Sequence, residues 1–243
     1  MQLLRLPDPH SVASRAADLV QETLRARPDA TLLLPAGATP VPLYAELVRR
    51  ARAGALDLGP TRLFQLDELV GVPPTDRRSF HAFFVEHLIA PLGLARAFHG
   101  LDGAARDPAT EIERHRRALA ACGPAELVLL GLGRNGHVAF NEPGSLVTDA
   151  ARVVELAATT RQGLSHPFPQ DTPTRGITLG LAEIAAGRRL VVLVTGSAKR
   201  ERLGELLEGR ARRDNPATLL ADHPALSVLA DRAALEPATA AGS

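Results

Sequence analysis

The chain has 243 residues, 45% of them hydrophobic, and a formal net charge of +1. That length supports a sizeable buried core, and the charge excludes a global pull toward nucleic acid or an anionic membrane. No apolar run approaches the roughly 18 residues of a membrane span, the opening segment lacks the basic-then-apolar order of a secretory leader, and the lone Cys122 excludes an intramolecular disulfide, so a cytoplasmic protein whose anion sites are local is expected.

Strand-like and helix-like segments alternate along the chain. Residues 30–35 (ATLLLP) form the first expected strand, a short apolar run of the kind buried on both faces. The loop 36–39 follows, and Pro40 suits the first turn of a helix, where no N–H is lost. Leu43, Leu47 and Val48 stand at helical spacing in the stretch 41–53. Residues 62–66 read as a second strand. Ser79 is a candidate N-cap for a helix over 80–89, where Phe80, Phe83, Phe84, His87 and Leu88 share one face. A helix is expected over 111–121, a buried strand over 126–132 (ELVLLGL), and further strands over 152–156 and 189–195 (RLVVLVT). A helix over 197–207 and a strand over 226–230 complete the series. The tail 237–243 is low in complexity and is expected to fray.

Strands separated by helices predict an α/β fold built on a mostly parallel sheet. Ligands of such sheets bind beyond the carboxyl ends of the strands. The Gly-rich loops after Pro35, Leu132 and Thr195, and the acidic pair after Leu66, all fall at that edge. They are expected to converge on one crevice.

Four segments carry chemistry. In residues 131–143 (GLGRNGHVAFNEP), Gly131, Gly133 and Gly136 permit close backbone approach after a strand. His137 can exchange protons near neutral pH, and Glu142, five residues on, is placed to orient it. The spacing G-x-G-x-x-G also fits a dinucleotide loop, but the following HVAFNEP does not open a helix. In FQLDELVG, Asp67 or Glu68 at a strand end can take a proton alpha to a carbonyl. Adjacent residues of an extended chain point to opposite sides, so one of the two is expected to face the substrate. The loop PAGATP (35–40), with Gly37, Ala38 and Thr39, resembles a phosphate cradle at a helix N-terminus. TGSAK (195–199) repeats that logic and adds Lys199, the chain's only lysine. A cation on the first turn of a helix opposes the dipole, and a nearby phosphate would account for it.

These motifs, in this order, resemble the glucosamine-6-phosphate deaminase group and the wider family that includes 6-phosphogluconolactonase. LPAGATP, FQLDELVG, GLGRNGHVAFNEPGS, RVVELAATTR and TGSAK each have a counterpart there. The resemblance runs from about Ser11 to Ala230, and the N-E-P after His137 favours the deaminase over the lactonase. It implies one domain over 1–243, a three-layer α/β/α sandwich with a Rossmann-like sheet. It also implies an aldose–ketose isomerisation with hydrolytic loss of ammonia, taking glucosamine 6-phosphate and water to fructose 6-phosphate and ammonia. No organic cofactor or metal is implied, and the partner is a small sugar phosphate. By carry-over, Asp67 moves a proton between C2 and C1. His137 assists ring opening and is held by Glu142 and Asn135, while Gly37, Ala38, Thr39 and Lys199 hold the phosphate. His166 stands where the family has a basic phosphate ligand, and Asn135 where many members have Asp. Val154 stands where regulated members carry a lysine, which implies no control by N-acetylglucosamine 6-phosphate. The alternatives are lactone hydrolysis on the same fold and a non-catalytic sugar-phosphate sensor. Against the sensor, a first strand near Ala30 leaves no preceding helix-turn-helix segment. Monomer and homo-oligomer both remain open.

Overall fold

A computed structural model of the chain describes residues 1–164 and 172–236. His166 and the tail 237–243 lie outside the described residues. The chain begins with a strand and a helix that the sequence reading did not place, since it put the first strand near Ala30: β1 (Gln2–Leu6) and α1 (Pro9–Ala26). β1 is an edge strand with Gln2 and Arg5 exposed, so its apolar signal is diluted. α1 is defined locally. The Asp8 carboxylate accepts from Ser11 N at 2.7 Å as N-cap, Pro9 sits at the start, and Val12, Ala13, Ala16, Ala17, Leu19, Val20 and Leu24 form the buried stripe.

β2 (Thr31–Leu34), α2 (Val41–Arg52) and β3 (Arg62–Gln65) follow as expected, with Pro40 at the cap position rather than inside the first turn. β4 (Asp67–Leu69) begins one residue after β3. Ser79 does cap the next helix, accepting from Ala82 N at 3.2 Å. That helix runs as α3 (Phe80–Phe84), a π-helical turn (Val85–Ile89) and α4 (Ala90–Leu92), ending at Gly93 with φ +67°. Then come β5 (Phe98–His99), α5 (Pro108–Cys122), β6 (Leu127–Gly131), β7 (Arg152–Glu155), α6 (Ala158–Gln162) and β8 (Arg175–Thr178). The remaining elements are α7 (Leu181–Ala185), β9 (Leu190–Val194), a 3-10 turn (Ser197–Lys199), α8 (Arg200–Leu207), a second 3-10 segment (Pro216–Leu220), β10 (Leu226–Asp231) and α9 (Arg232–Leu235).

The main sheet has the order β1-β10-β9-β6-β2-β3-β5, and each neighbouring pair is parallel. Alternate strand residues enter two cores. Leu32, Leu127, Leu129, Val191 and Leu193 pack with α1 and α2 on one face. Leu33, Val128, Leu130, Val192 and Val194 pack with α5, α7 and α8 on the other. Two-sided burial explains the unbroken apolar runs of β6 and β9, and it makes the molecule a three-layer α/β/α sandwich. Truncating a residue such as Leu129, fully buried at the sheet centre, costs roughly 2–5 kcal/mol.

A second sheet, β4-β8-β7, is antiparallel, with Asp67 opposite Thr178 and Val153 opposite Ile177. The strand expected at 152–156 therefore belongs here, outside the parallel sheet. Gly176 on β8 is required by its neighbours, because a Cβ there would enter the ring of Phe140. This sheet carries Asp67 over the edge of the main one, with Leu179 N donating to Leu66 O at 2.9 Å across the junction.

Candidate active site

The carboxyl ends of β2, β3, β6 and β9 open on a crevice of about 440 Å³. The four loops singled out in the sequence do converge there. Gly37, Ala38, Thr39, Asp67, Asn135, His137 and Lys199 all line it, together with Phe80, Phe140, Thr160 and Arg134. Glu142 does not line it and lies behind Asn135.

Asp67 and Glu68 divide as the extended chain requires. Asp67 faces the crevice. Glu68 turns away and is fully buried, accepting from Leu69 N (2.8 Å), Ser79 Oγ (2.9 Å), Phe80 N (3.0 Å), His81 N (2.7 Å) and Gln65 Nε2 (3.1 Å). It thereby ties the start of α3 to β4. Burial pushes the Glu68 carboxyl up, and its amide donors oppose that shift. Asp67 lacks comparable donors, and burial followed by the Glu68 charge pushes it to about 8. Gln65 was missed by the sequence reading. Its Nε2 also donates to Asp67 O at 2.8 Å and its Oε1 accepts from Leu101 N at 3.0 Å, which fixes the backbone beneath the acid. A glutamine directly after the apolar Leu63–Phe64 pair of the strand was the available signal.

His137 is fixed by a relay. The Glu142 carboxylate only accepts, so the end of Asn135 that meets Glu142 Oε2 at 2.8 Å is the NH2 group. The amide oxygen then faces His137 Nδ1 at 2.7 Å and also accepts from His137 N at 3.2 Å. An acceptor at Nδ1 places the ring proton there and leaves Nε2 with a free lone pair. Thr160 Oγ1, 3.0 Å from Nδ1, completes the setting. The Glu142 carboxylate stands 3.7 Å from Nδ1, so its hydrogen-bonded link to the ring runs through Asn135. Burial, with a contribution from the Lys199 charge, draws His137 down to about 4 against the opposing pull of Glu142. The ring is therefore neutral at physiological pH.

Backbone geometry serves the same end. A Cβ at Gly133 would overlap the His137 ring, and one at Gly136, with φ +86°, would strike Asn215. No helix opens after β6. Val138 and Asn141 pair instead as an antiparallel bridge around Ala139, whose φ is +49°. Buried Asn141 holds that turn, donating to Val138 O and Leu179 O, and Arg152 reaches Asn141 Oδ1 and Ser145 Oγ at 3.0 Å each. Arg152 thus clamps the loop from β7.

On the opposite wall, Gly37 takes φ +105°, and the amides of Gly37, Ala38 and Thr39 donate to no acceptor among the described residues. Thr195 Oγ1 meets Thr39 Oγ1 at 3.4 Å, which brings the two small-residue loops together. The Gly196 amide is committed to Asp231, the buried cap of α9. Lys199 ends the 3-10 turn before α8, and its Nζ donates to Leu132 O. Among the described residues, no group of three or more His, Cys, Asp or Glu is arranged to hold a metal ion.

Fold and site together define an α/β protein in which a buried carboxyl, a neutral imidazole and a loop of free amides face one crevice. A family profile described as glucosamine-6-phosphate isomerases/6-phosphogluconolactonase matches residues 9–228, and the chain belongs to that family. Among curated relatives, glucosamine-6-phosphate deaminase 1 of Giardia intestinalis is 38% identical over 216 residues, covering 87% of this chain and 81% of its own. Glucosamine-6-phosphate deaminase of Bacillus velezensis is 36% identical over 226 residues, covering 92% and 94%. Among solved structures, a monomeric glucosamine-6-phosphate deaminase superposes with a TM-score of 0.93 at 31% identity, covering 96% and 98% of the two chains. A 6-phosphogluconolactonase of Leishmania guyanensis, at 20% identity and a TM-score of 0.78 with 98% and 99% covered, shares the fold. Among the described residues no helix is long and apolar enough to cross a membrane.

Proposed function

We propose that this chain converts glucosamine 6-phosphate and water to fructose 6-phosphate and ammonia. The observation that carries the reading is the juxtaposition of Asp67 with a neutral, relay-fixed His137 in the crevice that also holds the unfilled 37–39 loop. The deaminases at 36% and 38% identity support the same choice over the lactonase, whose likeness is one of fold.

In the proposed course, the phosphate docks on the Gly37–Thr39 amides and Lys199. His137 Nε2 accepts the proton of the anomeric hydroxyl and returns it to the ring oxygen, which opens the sugar and frees an aldehyde at C1. Asp67 takes the proton from C2 and delivers it to C1 through an enolamine. The product is an iminium at C2, which water hydrolyses to the ketone with release of ammonia. With its carboxyl raised to about 8, Asp67 is mostly protonated in the empty crevice at neutral pH. A substrate ammonium at C2 lowers that value and makes the carboxylate available when the correct substrate arrives. Substrate selection and base activation are then one event.

The test is a panel of phosphorylated amino sugars scored for ammonia and ketose, run beside 6-phosphogluconolactone. Ketose and ammonia in equal amounts from glucosamine 6-phosphate are expected. Lactone hydrolysis without ammonia release, or ligand binding without any product, would overturn the reading.

A further inference from the structure

Arg134 lies inside the motif that carries His137, yet the roles described so far leave it unused. It is exposed and lines the crevice. Several arginines of the structure pair with acids: Arg49 and Arg50 share Glu46, Arg116 and Arg117 share Glu113, and Arg202 meets Glu205. Arg134 makes no hydrogen bond or ion pair with any described residue. Another cation, Lys199, lies within its electrostatic reach, and that ammonium is drawn down by burial and then by the Arg134 charge.

Two cations on one crevice wall are unfavourable to the protein alone. Both are set by the same loop, because Lys199 Nζ is held on Leu132 O and Arg134 follows two residues later. Among the described lining residues, the one carboxylate is Asp67. The arrangement is stabilised only when an anion of more than one charge enters between the two cations and the free amides of residues 37–39. A phosphate monoester dianion has that charge, and a guanidinium fork matches two of its oxygens.

We propose that Arg134 is a second phosphate-binding cation of this crevice, clamping the substrate phosphate together with Lys199. The proposal rests on the sugar-phosphate reading above. It places substrate affinity, and discrimination against unphosphorylated amino sugars, partly on residue 134.

Arg134→Gln and Arg134→Lys test it, titrated with inorganic phosphate by calorimetry and assayed with glucosamine 6-phosphate. Arg134→Gln is expected to weaken phosphate binding and raise KM by the same factor, about 10- to 100-fold, with the loss falling on KM and not on kcat. Arg134→Lys should recover part of both. Unchanged phosphate affinity in Arg134→Gln overturns the proposal and leaves the deaminase reading standing. Arg134-dependent phosphate binding in a wild-type protein that releases no ammonia overturns the deaminase reading and supports the phosphate role. Arg134 is exposed, so both variants are expected to fold, and matching circular dichroism checks this.

Discussion

The two walls of the crevice are built on opposite plans. On the wall that carries Asp67 and His137 the supporting groups have protein partners, while the Asp67 carboxyl and His137 Nε2 stay open: Glu68 takes five hydrogen bonds, Gln65 spans β3 and β4, and Glu142, Asn135 and His137 form a chain. On the anion wall, the amides of residues 37–39 and the Arg134 guanidinium have no partner among the described residues, and Lys199 spends one donor on Leu132 O. The first wall holds its geometry through protein partners, the preorganisation that the proposed proton transfers call for. The second leaves its donors for the ligand. Changes on the first wall should therefore strike turnover, and changes on the second should strike affinity.

The sharpest test of that division is Asp67→Asn, expected to lower kcat by about a thousandfold while leaving phosphate binding intact. Retained turnover would remove Asp67 as the base. Next is Asn135→Leu, which cuts the relay and frees the His137 ring. Its expected cost is about 100-fold in kcat with little change in KM, and nitrogen NMR of His137 should report loss of the single tautomer. Asn135→Asp keeps the shape but adds a negative charge beside the ring, so it should raise the His137 pKa above about 4 and move the acidic limb of the rate profile upward. On the other wall, Lys199→Met should raise KM by about 10-fold or more, with kcat falling much less. An equal fall in kcat would mean that the two walls are not separable.

The smallest effect is on stability. Asp67 has a folded value of about 8 against an ordinary 3.8, so its contribution is complete below pH 3.8 and is lost as pH rises through 8. His137 and His115 are drawn to about 4, mainly by burial, so theirs is complete above pH 6.5 and is lost as pH falls through 4. Together the three groups place an optimum near pH 6.5. Asp67→Asn should abolish the alkaline decline alone, which urea unfolding between pH 4.5 and 8.5 would register. A decline unaffected by that substitution would show that Asp67 is already ionised in the folded protein.

Much of the scaffold was legible because hydrophobic period is local. β2, β6 and β9 announced themselves as unbroken apolar runs, and the residues just past them turned out to line the crevice. The edge strand β1 was not seen, because five residues with polar Gln2 and Arg5 and no regular alternation carry little signal. β4 was not read as a strand, its acidic pair being placed just past the end of the strand over 62–66, and β8, opening with Arg175 and Gly176, did not read as a strand at all. Of the site residues, Asp67, His137, Asn135 and Lys199 were identified as single positions. Gln65 and Arg134 were passed over, one resembling a stray polar residue in a strand and the other a solvated arginine.

By itself the sequence determined the alternation of strands and helices, the four loops at the sheet edge and most of the polar residues that line the crevice, since each depends on neighbours within a few positions. Only the tertiary structure showed that Asp67 faces the crevice while Glu68 turns into the core, and that Glu142 reaches His137 through an amide. It also decided that Asp67 is raised while His137 is lowered. Those outcomes depend on pairings between segments far apart in the chain, such as β4 with β8, and on how completely packing removes water from each group.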